Sequence, residues 1–273
     1  MVNAPAQAVA GPAPVVQEPI VPNYFDPKER LVLPDISGFP RIRFLTTTDF
    51  PPFDFLDQTG KLAGFQVDLA RAICDELKVV DKCQIQALPW SELEPALSKG
   101  EGEAIIAGLA VMAQNREKYA FTRSYLQFPA RFVRNRAVRI DMDAPHALDG
   151  KAVGVVKGSA HEAMLKAFFP KVRVKEFASD TEMLAALKAK TPGVAFGDGM
   201  QLSFWLSSKP AGDCCAFLGG PYLSEHFLGH GLAIAVAKKN AVLAQAFDHA
   251  LLALTRDGRF ADLYRRYFPN GMY

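Results

Sequence analysis

Ile105-Ile106-Ala107-Gly108-Leu109-Ala110-Val111-Met112-Ala113-Gln114-Asn115-Arg116 is the stretch whose reading decides the fold of this chain. It reads as a buried strand that releases a short glycine-containing loop and then a fixed positive charge. Backbone amides freed at a strand end beside an arginine suit an anion such as a carboxylate. Apolar strands followed by glycine are common, so this reading takes its weight from what else the chain brings to the same place.

Working outward, the residues before this stretch alternate strand and helix patterns. Residues 41–46 alternate and then run apolar, as a strand does. A loop stiffened by Pro51 and Pro52 follows, and Asp57-Gln58-Thr59-Gly60 reads as a turn. Phe65, Leu69, Ala72, Ile73 and Leu77 recur at helical spacing, so 66–77 is expected as an amphipathic helix. Residues 84–88 are the second strand. Ser91 with Glu94 makes a capping box for a helix that ends at Gly100, and 104–109 is the third strand. The order is β-α-β-α-β.

Beyond the stretch the same order returns. Residues 152–156, 172–177 and 194–197 are strand-like. Ser159 with Glu162 and Ser179 with Glu182 cap the two intervening helices, whose apolar faces carry Met164, Leu165 and Phe168, then Met183, Leu184 and Leu187. Two βαβαβ units of similar size argue for two α/β lobes built on parallel sheets with flanking helices. The aromatic run 121–133 is expected to cross from one lobe to the other, and 227–233 to cross back before a helix over 240–254. Two crossings make a two-strand hinge and a cleft. The expected division is an Ala/Pro-rich leader and entry segment over 1–39, a first lobe over 40–130 plus 232–273, and a second lobe over 131–231.

Composition narrows the function classes. At 273 residues, the chain is long enough for two modest domains. A net charge of +2 supplies no basic field for nucleic acid, so no nucleic-acid partner is expected. No apolar run reaches bilayer-spanning length, and the start lacks a charged n-region followed by an apolar h-region. Residues 2–22 are nearly uncharged and rich in Ala, Pro and Val, a composition suited to a flexible leader. Cys74 and Cys83 bracket a tight helix-to-strand connection that can bring them within disulfide reach. Separate half-buried thiols are the other reading of that pair. Cys214 and Cys215 are adjacent, and their state is left open between free thiols, a vicinal disulfide and an incidental pair. His226 and His230 with those cysteines fit no zinc spacing, so neither metal nor cofactor is expected. The chain has no G-x-S-x-G elbow, H-E-x-x-H, Walker loop or G-x-G-x-x-G.

In open parallel sheets, ligands sit outside the carboxyl ends of the strands. Those ends deliver Asp49 and Phe50, Trp90, Gly108, Leu109 and Ala110 with Arg116, then Lys157, Ser159 and Ala160, and finally Asp198. The set holds two aromatics, an arginine and a lysine, two carboxylates and several free amides, including those of the helix after Ser159. A small molecule with a carboxylate and an ammonium matches it. Each member also has a plainer role: Trp90 and Phe50 as core, Arg116 as a surface cation paired with Glu117 or Asp198, Lys157 as a solvated cation, Asp198 as a turn residue.

Several segments then add a resemblance: Thr48-Asp49-Phe50-Pro51-Pro52-Phe53-Asp54-Phe55, Gly64-Phe65-Gln66-Val67-Asp68-Leu69, Ile105 to Leu109, Arg116 through Phe121-Thr122, Val153 to Ser159, and Asp257-Gly258-Arg259-Phe260. With them, residues 40–270 resemble the periplasmic solute-binding proteins of polar amino-acid ABC importers. The resemblance implies two lobes that close on a ligand and then dock on a membrane-embedded ABC permease. It implies a monomeric, non-enzymatic protein of the periplasm, exported by a signal peptide. It places Phe50 and Trp90 against the ligand's side chain, Gly108, Ala110, the arginine and the Ser159-Ala160 loop on its carboxylate, and Asp198 on its ammonium. It also supports a Cys74–Cys83 disulfide. The chain departs from the family at Ala110, Met112 and Ala160, where hydroxyls are usual, and at Arg116, which stands one residue late with Asn115 in the usual place. Those departures suggest an amino-acid derivative, an opine or a less polar solute as alternatives to a standard amino acid. Cyclohexadienyl dehydratases resemble the same proteins, but such an enzyme needs an added acid in the cleft, and no Glu or His is expected beside Asp198.

Overall fold

In the computed structural model, which describes residues 19–26, 28–140 and 146–273, the expected strands pair into two five-stranded sheets. The first part of the chain runs β1 (Ile42–Thr46), β2 (Asp49–Phe50), β3 (Asp54–Leu56), β4 (Leu62–Ala63), α1 (Phe65–Glu76), β5 (Cys83–Ala87), α2 (Trp90–Lys99), β6 (Ala104–Ile105), α3 (Ala113–Lys118) and β7 (Tyr119–Phe121). It continues through β8 (Ala130–Asn135), β9 (Ala152–Val156), α4 (Ala160–Phe168), β10 (Arg173–Phe177), α5 (Asp180–Lys188), β11 (Val194–Asp198), α6 (Gly199–Leu206), β12 (Cys215–Tyr222) and α7 (Glu225–Leu228). The last elements are β13 (Ala235–Ala237), α8 (Ala241–Arg256) and α9 (Arg259–Tyr267). No helix among the described residues is long and apolar enough to cross a membrane.

The first sheet has the order β5-β1-β6-β13-β7 and the second β10-β9-β11-β8-β12. In each, the first strand of a βαβαβ unit lies between the second and the third, and these three are parallel. The sheets are not purely parallel as expected. β13 runs antiparallel to β6 and β7, and β8 runs antiparallel to β11 and β12. These antiparallel strands flank the two passages between the sheets, and an antiparallel bridge between Leu126 and Leu232 links the two passages.

The inner strands β1, β9 and β11 read as apolar runs because helices cover both faces, whereas the edge strands β5 and β10 are half-exposed and more polar. On β1, Phe44 joins the core made with α1, α8 and α9, while its neighbour Leu45 joins Leu93 and Leu97 of α2 on the other face. On β11, Phe196 packs with Met164 and Leu165 of α4, and Ala195 with Met183 and Leu187 of α5.

Several local expectations are corrected. The strand expected over 104–109 pairs only at Ala104–Ile105; after Ile106 donates to Leu45 O at 2.9 Å the chain turns away, with Gly108 at φ 84°. Helix α2 starts at Trp90, so Ser91 lies inside its first turn and forms no capping box. Strands β2, β3 and β4 form a small third sheet where only a loop and a turn were expected, since two or three residues are too few to display a period. The other two capping residues behave as read: Ser159 Oγ accepts from Glu162 N at 3.1 Å, and Ser179 Oγ from Glu182 N at 3.2 Å.

Cys74 and Cys83 are disulfide-bonded, and Cys214 is bonded to its neighbour Cys215. Most of the expected leader, residues 1–18, lies outside the described residues. The segment after it packs on the first sheet: Phe25 is buried there, with Val21, Leu31, Ile36 and Phe39 against the same core.

Candidate ligand-binding cleft

Both sheets reverse strand order at their first strand, and at such a switch point the loops from adjacent carboxyl ends part and leave a crevice. Each sheet has a cavity there, and the two share no lining residue. The cavity on the first sheet, about 350 Å³, takes Thr47, Asp49 and Phe50 from beyond β1, Ala107 and Gly108 from beyond β6, and Trp90 from the start of α2. Phe128 and Leu232, one from each passage between the sheets, complete it. The cavity on the second sheet, about 210 Å³, takes Val156, Ser159 and His161 from β9 and α4, Phe196, Gly197, Asp198 and Gln201 from β11 and α6, and Asp180 from α5. A larger hollow of about 420 Å³ beside Leu148, Phe168 and Lys171 lies toward the amino ends of β9 and β10, away from the switch point.

The first cavity is aromatic and acidic. Phe50 stacks on Phe53 with centroids 4.7 Å apart, which fixes its ring. Trp90 is 52% exposed, so it serves the core little and has a face to offer. Gly108 has a backbone conformation that favours glycine, and a Cβ there would lie 3.5 Å from both Phe50 and Leu232. The amides of Gly108 and Ala110 have no acceptor among the described residues, while Ala110 O accepts from Met112 N at 3.1 Å and from Asn115 Nδ2 at 2.8 Å.

The second cavity holds a carboxylate and an imidazole together. Asp198 caps α6, its Oδ1 accepting from Gln201 N at 2.8 Å. Burial pushes its carboxyl up, opposed by backbone amides and His161. Burial likewise pushes the His161 imidazole down, against the pull of Asp198 and Asp180, which favours the neutral ring at neutral pH. Ser159 Oγ is committed, donating to Val156 O at 2.7 Å and accepting from Glu162. The amides of Ala160 and His161, at the start of α4, have no acceptor among the described residues.

Of the residues expected at the site, Asp49, Phe50, Trp90 and Gly108 line the first cavity, and Ser159 and Asp198 the second. Five others line neither. Leu109 is buried in the core against α2, Ala110 is exposed, and Ala160 contributes only the start of its helix. Arg116 is exposed on α3. Lys157 is 73% exposed and pairs with Glu176 at 3.4 Å. Sequence reading missed Thr47, Phe128, Leu232, His161, Asp180 and Gln201. The absence of a histidine beside Asp198 was expected and is corrected: His161 lines the same cavity. Its signal was its place two residues after the Ser159 cap. Phe128 and Leu232 carry no local signal, because only the paired passages bring them together.

The family described as bacterial extracellular solute-binding proteins, family 3, matches residues 42–270. An L-arginine-binding protein of Pseudomonas aeruginosa is 29% identical over 245 residues, covering 89% of this chain and 93% of the relative. A lysine/arginine/ornithine-binding periplasmic protein of Escherichia coli is 28% identical over 234 residues, covering 85% and 89%. Among solved structures, the L-cystine solute receptor of Neisseria gonorrhoeae superposes with a TM-score of 0.71 at 18% identity, covering 86% of this chain and 94% of that one. Substrate-binding domain 2 of Lactococcus lactis GlnP gives 0.67 at 18% identity, covering 84% and 96%. Both have the two-lobed periplasmic-binding-protein fold.

Proposed function

The chain belongs to the bacterial extracellular solute-binding proteins of family 3, and from that premise we propose that it captures a small polar, amino-acid-like solute in the cleft and delivers it to the membrane-embedded permease of an ABC importer. The observation that carries this reading is the split site: an exposed indole and a stacked phenyl ring at one switch point, a carboxylate and free helix amides at the other. Two half-sites joined by a paired hinge suit capture by closure. Arginine, and lysine, arginine and ornithine, are the ligands named for the relatives, which supports a solute bearing an ammonium group.

In this reading the protein works in the periplasm as a monomer. Residues 40–130 with 232–273 form one moving lobe and 131–231 the other. Asp198 receives the ammonium, and Phe50 and Trp90 flank the rest of the ligand. Thermal unfolding of the purified protein against a panel of amino acids, amino-acid derivatives and amines tests it. At least one member raises the midpoint by several degrees at millimolar concentration; no shift with any member overturns the reading.

His161 beside Asp198 is the observation that favours a second reading, a catalyst on the same scaffold, because a paired acid and imidazole is what general acid–base work requires. The binding reading expects no turnover of prephenate or arogenate, and turnover of either replaces it.

A further inference from the structure

The two cavities contain charge of one sign only. Among the described residues, Asp49 is the sole charged residue lining the first, Asp180 and Asp198 are the sole carboxylates lining the second, and no lysine or arginine lines either. The cations expected near the site are placed elsewhere. Arg116 is exposed on α3, and Lys157 reaches out to Glu176. Arg131, the buried cation of β8, gives its Nη atoms to Met272 O at 3.3 Å and Gly219 O at 2.9 Å, and its guanidinium lies 4.2 Å from the Phe217 centroid.

The side-chain donors that line the cavities, the Thr47 hydroxyl, the Trp90 indole, the Gln201 amide and the His161 ring, are neutral groups. The Asn115 amide is held by Ala110 O, and the Ser159 hydroxyl is consumed in capping α4. What remains for a carboxylate is backbone amides and these neutral donors, with no cationic partner, set against three carboxylates. A cation meets the reverse situation. It is attracted by Asp49, Asp180 and Asp198, and Phe50, Trp90 and Phe128 offer ring faces that attract cations.

We propose that the ligand is a small organic cation, an amine or guanidine of about amino-acid size, whose recognition does not depend on a carboxylate. This rests on the solute-binding reading and narrows it. The ammonium or guanidinium lies between the carboxylates of the two half-sites, and its alkyl chain packs on the rings of the first. Closure neutralises carboxylates that otherwise repel one another across the cleft.

The test is isothermal titration calorimetry of the full chain with matched probes: agmatine against L-arginine and cadaverine against L-lysine, with L-glutamine and L-glutamate as neutral and anionic controls. The expected result is that the amine binds at least as tightly as its amino acid in one pair or both, and that Asp198→Asn weakens that amine tenfold or more. Asparagine also caps helices well, so the variant keeps its unfolding midpoint. The amino acid binding more tightly than its amine in both pairs overturns the cation proposal and leaves solute binding intact. So does a preference for glutamine or glutamate, or an Asp198→Asn variant with undiminished amine affinity. If no probe of any charge binds, both readings fall.

Discussion

Asp54 is fully buried, and burial pushes its carboxyl up to about 8, with Asp49 adding to the rise and Thr46 opposing it. Its surroundings are a closed polar network. The Gln66 amide group faces Asp54 and Ile106 O, the latter at 3.0 Å, while the Gln66 carbonyl accepts from the Tyr125 hydroxyl at 2.7 Å; Thr46 Oγ1 donates to the same Ile106 O at 2.9 Å. The network therefore holds the backbone where β6 ends and the Gly108 loop begins. Between the ordinary carboxylate value of 3.8 and about 8 the folded protein binds more protons at this site than the unfolded chain. Stability from this group is full at low pH and is lost as pH rises through that window. Asp54→Asn is expected to flatten the fall in unfolding midpoint between pH 5 and pH 9. Parallel curves for the two proteins would sink this account. None of this was legible in the sequence, where Asp54 reads as an ordinary loop carboxylate, because its burial depends on Gln66 and Tyr125 arriving from distant positions.

Among the elements, the entry to α1 is the most exacting. Gly64 sits at φ 134°, and a Cβ there would lie 2.0 Å from Phe53 O, the carbonyl that accepts from Gln66 N at 3.0 Å. No flexible side chain can yield, since the obstacle is backbone. Gly64→Ala is expected to cost about 3 kcal/mol or more, roughly 6 °C or more of midpoint for a chain of this size, measured by calorimetry. At its other end, α1 is tied to β5 by the Cys74–Cys83 bond across a sequence separation of 9. Loop-closure entropy for such a span predicts a loss of about 2–3 kcal/mol in the Cys74→Ala/Cys83→Ala double variant, read from denaturant midpoints under oxidising conditions. The capping serines of α4 and α5 were legible because a cap is local chemistry. Ser91 misled for the same reason: its spacing to Glu94 is right, but the helix begins one residue earlier, at Trp90, behind Pro89.

On the scale of the whole molecule, the two ends of the described chain meet at the passages between the sheets. Gln127 N donates to the hydroxyls of Tyr24 and Tyr273 at 3.1 and 3.2 Å, and the Tyr273 hydroxyl donates back to Gln127 O. Met272 is fully buried in the core of the first sheet while its carbonyl accepts from Arg131 of the second. Met272→Ala therefore opens a cavity at the seam and is expected to cost about 2–5 kcal/mol; an unchanged unfolding midpoint would show that the seam carries no such burden. What the sequence by itself determined is what local period and composition encode: two βαβαβ units, the order of their strands and helices, the capped helices after β9 and β10, and the family segments. Only the tertiary structure decided that β8 and β13 run antiparallel, that His161 and Phe128 line the two cavities, and that Arg116 and Lys157 line neither. Period and capping depend on residues a few positions apart, whereas which side chain faces a crevice depends on register and packing between segments far apart in the chain.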